Sequence, residues 1–322
     1  MHEALFWDAI EGTRVRCGLC PHRCLIEERA AGICGVRINM GGKLFSAGYG
    51  SVSSIALDPI EKKPLYRFHP GRKILSIGGF GCNLRCPFCQ NYEISMDRGA
   101  IAEICGEMER KPGSGSRDSD GSAGRRGNKT APGGDRAGGY RSQTSPDDIV
   151  AAAVAAIPKG NIGVAYTYNE PLISYEFVYD CAALVHAAKL SNVLVTNGFI
   201  ERGPLEALLP LVDAMNIDLK GFSDDFYKNA GGRLNPVLST IEASVKHCHV
   251  EVTTLVIPGE NEGDVEDIAR WLASIDPDIP LHLSRFFPNY LYSGRAPTTR
   301  ESIFKLQETA RVYLNHVYVG NM

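Results

Sequence analysis

The run Gly81-Cys82-Asn83-Leu84-Arg85-Cys86-Pro87-Phe88-Cys89-Gln90-Asn91 constrains this chain more than any other feature. Its spacing is C-x3-C-x2-C, with no fourth cysteine close behind. A 4Fe–4S cube held by protein alone takes four thiolates, so three on one loop leave one iron without a protein ligand. An open coordination position marks a catalytic metal site rather than a structural one. A zinc knuckle, or a ferredoxin site with a distant fourth ligand, is the alternative on spacing alone. The apolar segment Lys73-Ile74-Leu75-Ser76-Ile77-Gly78-Gly79-Phe80 runs directly into the loop and reads as a short buried strand closed by glycines.

With 322 residues, 44% of them hydrophobic, the chain is long enough for one large α/β domain plus an appendage. A net charge of -3 gives no support for nucleic acid as a partner. No apolar run approaches bilayer length, and Met1-His2-Glu3-Ala4 does not open a signal peptide. Ten cysteines in such a chain point to metal or catalytic use in a reducing, cytoplasmic interior.

Three zones are expected. Residues 1–70 are glycine-rich, carry a second cysteine group and read as a small metal-binding domain. Residues 71–322 form the main domain. Within it, 110–145 is a Gly/Ser/Arg/Asp-rich insertion too poor in apolar residues to offset the entropy of ordering. From Ser145 onward strand-like and helix-like segments alternate. Ser145-Pro146-Asp147-Asp148 caps a helix running through Ala156. Strands are predicted at Ile162–Tyr168, Val193–Thr196, Ala214–Leu219, Val250–Ile257, Leu281–Phe286 and Val317–Val319, with helices between them. One helix is expected over Leu172–Lys189 and one helical stretch ends near His247. With the strand near Ile74 this makes about seven parallel strands, a partial (β/α) barrel of TIM type whose chemistry lies at the C-terminal strand ends.

Those ends carry Tyr166-Thr167-Tyr168-Asn169-Glu170-Pro171, Thr196-Asn197-Gly198, Asp218-Leu219-Lys220-Gly221 and Thr253-Thr254-Leu255-Val256-Ile257-Pro258-Gly259. An acid, amides and a lysine on one rim suit a zwitterionic, ribose-bearing ligand: Glu170 for an ammonium, Asn197 and Asp218 for hydroxyls, Lys220 for a carboxylate. Turn formation alone also accounts for Asn, Asp and Gly at strand ends.

The cysteine loop resembles the cluster loop of radical S-adenosylmethionine (SAM) enzymes, and Asn169-Glu170-Pro171 is similar to a variant of their Gly-Gly-Glu motif. Thr196-Asn197-Gly198 and Asp218-Leu219-Lys220 resemble strand ends of the pyruvate formate-lyase activating enzyme. The longer phrases Asp58-Pro59-Ile60-Glu61-Lys62-Lys63-Pro64-Leu65, Val195–Gly198, Ile217–Phe222 and Glu251–Gly259 resemble the radical SAM component of the AmmeMemoRadiSam system. The resemblance runs from about Ala4 to Asn321, apart from the insertion. It implies a 4Fe–4S cluster on Cys82, Cys86 and Cys89, with Phe88 beside the adenine of SAM. It further implies that Asn169, Glu170, Thr196, Asn197, Asp218, Lys220 and Val256 contact that cofactor. A flavodoxin or ferredoxin would donate electrons, and Memo-type and AMMECR1-type proteins would be partners. The expected chemistry is reductive cleavage of SAM to a 5′-deoxyadenosyl radical that abstracts hydrogen from a small molecule or peptide. An activase acting on a glycine of a partner protein, or a non-catalytic Fe–S electron carrier, is the rival reading. The short cysteine-containing tail expected beyond a Val-Tyr-Val-Gly-Asn strand is not in this sequence, which ends at Met322.

Cys17, Cys20, Cys24 and Cys34, spaced C-x2-C-x3-C-x9-C, suit zinc or an auxiliary Fe–S cluster, with His22 as an alternate ligand. Cys181 reads as core and Cys105 as a bystander. His247-Cys248-His249 is a weaker ligand set, at a strand start opposite the chemistry. Tyr166, Tyr168, Phe286 and Phe287 are placed either in a substrate pocket or in packing.

Overall fold

The computed structural model describes residues 2–96 and 142–322. Cys105 and most of the 110–145 insertion lie outside these residues.

Seven parallel strands form the centre of the molecule: β2 (Lys73–Gly78), β3 (Asn161–Tyr166), β4 (Ser191–Thr196), β5 (Ala214–Asp218), β6 (His249–Val256), β7 (Leu281–Arg285) and β8 (Val317–Gly320). Each pairs with its sequence neighbour, so the sheet order follows chain order without reversal. A doubly wound sheet would reverse at a switch point; steady progression in one direction makes a barrel wall. The wall is not closed. An eighth strand, β1 (Ser54–Pro59), lines its edge antiparallel to β2, with Ser54 opposite Gly78 and Pro59 opposite Lys73. The barrel sheet thus begins at residue 54, and the boundary expected at residue 70 falls inside it. The sequence of β1 gave no sign of this, because an exposed edge strand needs no apolar alternation and tolerates Pro59 at its end.

The helices cover the outer face. The one following Ser145, α1 (Pro146–Ala155), has the expected capping box between Ser145 and Asp148. Helix α2 (Tyr175–Ala187) is preceded by a separate 3-10 turn at Pro171–Ser174. A short helix, α3 (Arg202–Leu208), follows β4. The stretch expected to end near His247 is two helices, α4 (Asp224–Asn229) and α5 (Leu234–Ser244). Gly231 breaks them at φ +75°, and a Cβ on Gly232 would stand 2.6 Å from a methyl of Leu84. That break lets the cysteine loop dock, with the Arg85 N–H donating to Ala230 O at 2.7 Å. Helix α6 (Val265–Ile275) buries Val265, Ile268, Ala269 and Leu272, one stripe at helical spacing. Helix α7 (Arg300–Arg311) packs against β7 and β8.

Residues 60–72 fold back under the barrel and plug its N-terminal end. Ile60 and Leu65 join Ile74, Ala165, Val193 and Ala214 in a small buried core there. Glu251 on β6, wholly buried, fastens the plug by accepting the N–H groups of Tyr66 (3.0 Å) and Arg67 (2.8 Å). Its carboxylate also meets His249 at 2.9 Å and His282 at 2.6 Å. His249 is therefore engaged inside the fold rather than joined with Cys248 and His247 as a ligand set.

The N-terminal segment forms two small antiparallel sheets, one from His2–Glu3, Lys43–Ser46 and Arg37–Met40, the other from Trp7–Ala9, Val15–Cys17 and Leu25–Ile26. It is locked to the barrel by Arg37, whose guanidinium donates to Glu176 of α2 at 2.9 and 3.2 Å and to the carbonyl of Leu5. Both side chains are almost fully buried. Removing one partner strands a buried charge, so Glu176→Ala is expected to cost about 3–5 kcal/mol in chemical unfolding. A loss under about 1 kcal/mol would show that this pair does not hold the segment.

Candidate active site

A cavity of about 370 Å³ opens at the C-terminal ends of the strands. Cys82, Cys86 and Cys89 line it together with Phe88, Asn169, Glu170, Thr196, Asn197, Asp218 and Lys220. Of the expected site residues in the barrel, Val256 alone stays out. It is fully buried, and strand alternation turns its neighbour Leu255 to the cavity instead.

Burial pushes the Cys86 thiol up to about 11, against the pull of Lys220, and raises Cys82 and Cys89 as well. Each thiolate would also raise its neighbours, which places the three sulfurs within electrostatic reach of one another. Without a positive centre these thiols stay protonated; a metal cluster supplies the charge that ionises them. Two donors already aim at Cys82 Sγ: the Leu84 N–H at 3.3 Å and Asn197 Nδ2 at 3.6 Å. Among the described residues no three His, Cys, Asp or Glu side chains stand at the spacing of ligands to a single ion. Thiolates holding a cube sit on different irons and need not converge on one point. The donor set fits a cluster.

The rim residues are tied to each other and to this loop. Glu170 accepts from Thr196 Oγ1 (2.8 Å), the Asn197 N–H (2.8 Å) and the Leu172 N–H (3.0 Å). Burial lifts its carboxyl to about 7 despite these bonds. Three of its roughly four lone-pair positions are thereby filled, leaving room for one further donor. Asn197 donates to Asn83 Oδ1 at 2.9 Å, and Asn169 clamps the loop by accepting from the Gly79 N–H (2.9 Å) and donating to Gly81 O (3.1 Å). Lys220 forms an ion pair with Asp218 at 2.8 Å. Burial opposes its charge, but Asp218 overrides this and keeps the ammonium protonated. Phe88 is buried beside Phe226 and Tyr292, at ring distances of 5.8 and 6.0 Å.

Of the aromatics, Tyr168 lines the cavity. Tyr166 is buried on Asn192, Phe286 packs against Tyr292, and Phe287 is exposed beneath Arg285. Lys62, Lys63, Pro64, Thr253 and Ser284 complete the floor. Of these, Thr253 belongs to a strand end expected on the rim, and Lys62, Lys63 and Pro64 lie in the phrase Asp58–Leu65, which carries no site role in the sequence alone.

Cys17, Cys20, Cys24 and Cys34 surround a second, small cavity with His22 and Arg37 on its wall. Burial raises Cys20 to about 12 and Cys34 to about 11. The two cysteine regions abut: His22 Nε2 lies 2.7 Å from Asn83 O, and Arg85 bonds the carbonyls of both Cys82 and Ile33. Cys181 is core, as expected.

An open, sequentially ordered parallel barrel wall with three thiols at its C-terminal rim defines an α/β protein of partial-barrel type with its site at the strand ends. The radical SAM superfamily profile matches residues 76–272, and the chain belongs to that superfamily. It is accordingly an enzyme of a group that uses a 4Fe–4S cluster and SAM. Over its full length it is 36% identical to uncharacterized protein MJ0808 of Methanocaldococcus jannaschii, spanning 86% of that protein. Across 38% of the chain it is 30% identical to MJ0804 of the same organism, covering 46% of it. Among solved structures, QueE from Escherichia coli aligns with 84% of this chain and 94% of its own (TM-score 0.48, 15% identity). A domain of a pyruvate-formate lyase-activating enzyme from Bacteroides vulgatus aligns with 49% of this chain and 99% of its own (TM-score 0.43, 18% identity). No helix among the described residues is long and apolar enough to cross a membrane.

Proposed function

We propose that this chain is the radical SAM component of an AmmeMemoRadiSam system, acting on a small molecule or peptide. The carrying observation is one cavity that joins three buried thiols to Glu170, Asn197, Asp218 and Lys220. When bound, the cluster and SAM supply a one-electron reductive cleavage that yields a 5′-deoxyadenosyl radical. Cys82, Cys86 and Cys89 would hold the cluster, and Asn197 would donate to the Cys82 sulfur, a contact that tunes such centres. The free acceptor position on Glu170 suits the ammonium of SAM, and protonated Lys220 suits its carboxylate. Buried Phe88 offers the adenine an apolar face. The floor exists because residues 60–65 plug the barrel, and these belong to the phrase Asp58–Leu65 that favours this system over a glycine-directed activase.

The test is 5′-deoxyadenosine formation by anaerobically reconstituted protein given SAM and a low-potential reductant. No product from protein with a full complement of iron and sulfide would sink the catalytic reading in favour of an electron carrier. A flavodoxin or ferredoxin would supply the electron in a reducing cytoplasm, and Memo-type and AMMECR1-type proteins would share the substrate.

We further infer that the second cavity binds a metal through Cys17, Cys20, Cys24 and Cys34, their spacing suiting an Fe–S cluster better than a single zinc ion. Four thiols lining one small cavity support this reading, and a bound metal would supply the positive charge that ionises them against the effect of burial. Elemental analysis of a Cys17→Ala/Cys20→Ala variant should show metal lost beyond what Cys82, Cys86 and Cys89 retain. Unchanged iron and zinc would refute it.

A further inference from the structure

The cavity floor beneath the cysteine rim carries a lysine that the SAM reading leaves unused. Lys63 is only 2% exposed, yet its side chain lines the cavity. Its ammonium donates to Asp58 Oδ2 at 2.8 Å and lies 4.5 Å from the centre of the Tyr168 ring. An ammonium has three donors, and one bond is made here. Tyr168 OH donates to the same Asp58 oxygen at 2.7 Å, while Lys62 Nζ stands 3.5 Å from the other. One carboxylate therefore serves the buried Lys63 and Tyr168 and, from its solvent side, the exposed Lys62, so Asp58 is shared among three donors while Lys63 has two N–H groups to spare.

The backbone is bent to build this corner. Tyr168 takes φ +71°, a left-handed conformation unusual for an aromatic residue, held by Asn91 Nδ2 donating to Tyr168 O at 2.6 Å. A Cβ on Gly78 would stand 2.8 Å from the Tyr168 ring, so only glycine there leaves the ring its place over Lys63. Thr253 and Ser284 bring hydroxyl-bearing side chains to the same floor.

We propose that Lys63, framed by Asp58 and Tyr168, anchors a carboxylate group of the substrate at the bottom of the barrel cavity. This rests on the reading of the rim as the SAM site, which leaves the floor for substrate. A single buried ammonium with donors to spare, its one carboxylate partner already shared, matches a singly charged carboxylate better than a dianion. Anchored there, a substrate would extend upward toward the cysteine rim, which is the orientation radical abstraction needs.

Binding of N-acetylglycine, N-acetylglycinamide and inorganic phosphate to the reconstituted full-length protein tests this, read by thermal unfolding midpoint at constant ionic strength. N-acetylglycine should raise the midpoint and its amide should not. Lys63→Met should weaken the carboxylate effect about tenfold to a hundredfold, the usual loss for a charged hydrogen bond, and Lys63→Arg should restore part of it. Equal shifts from acid and amide, or a larger one from phosphate, would overturn the proposal in wild-type protein alone, whatever the variants do. SAM affinity measured on the same preparation separates the two readings. Carboxylate discrimination without SAM binding refutes the rim assignment, and SAM binding without discrimination refutes this one.

Discussion

Cys86→Ser is expected to bring 5′-deoxyadenosine formation down by more than about a hundredfold, since losing only an outer partner of a metal ligand typically costs ten- to a hundredfold. Serine keeps the size of the side chain but not the thiolate, and a hydroxyl does not ionise in this buried setting. The chain should still fold, because Cys86 belongs to a loop held independently by Asn83, Arg85 and Asn169. Iron content and product are measured together with circular dichroism. Turnover near wild type in a variant that binds less iron would show that these thiols do not support the chemistry.

The second large effect concerns stability rather than turnover. Burial would raise the Glu251 carboxyl, but hydrogen bonds from His249, His282 and the Tyr66 and Arg67 N–H groups hold it at about 2, below its ordinary 4.5. A carboxyl whose folded value is depressed stabilises the fold above its unfolded value and loses that contribution as pH falls through its folded value. The window is thus from about pH 4.5 down to about pH 2, and the contribution is on the order of 3 kcal/mol. Glu251→Gln should therefore be less stable than wild type by about that amount at pH 7. The gap should shrink as pH drops toward 2, because the wild-type carboxyl then protonates too. Urea unfolding of both proteins across this range measures it. A gap that stays constant with pH would mean that Glu251 acts through shape and not charge.

The parts legible in the sequence are those built from neighbours in the chain. Cysteine spacing placed three thiols on one loop, and strand-end residues such as Glu170, Thr196 and Asn197 fell on one rim because alternating strands and helices imply it. Ser145 capped its helix as read, since a capping box is complete within four residues. Val256 turns its side chain away from the cavity while Leu255 faces it, because successive residues of a strand point to opposite faces. Edge strand β1 was missed because its pairing with β2 crosses the expected domain boundary. The break at Gly231 was missed because its role is to receive Arg85, 146 positions earlier in the chain.

The sequence by itself determined the cysteine loop, the βα rhythm and the superfamily, all carried by local spacing and periodicity. Only the tertiary structure decided what the cavity contains below its rim. Asp58, Lys63 and Tyr168 come from an edge strand, a plug and a strand end, and Glu251 grips that plug from a fourth element. Such contacts follow from how the sheet curves around its own interior, and curvature is a property of packed strands together rather than of any one segment.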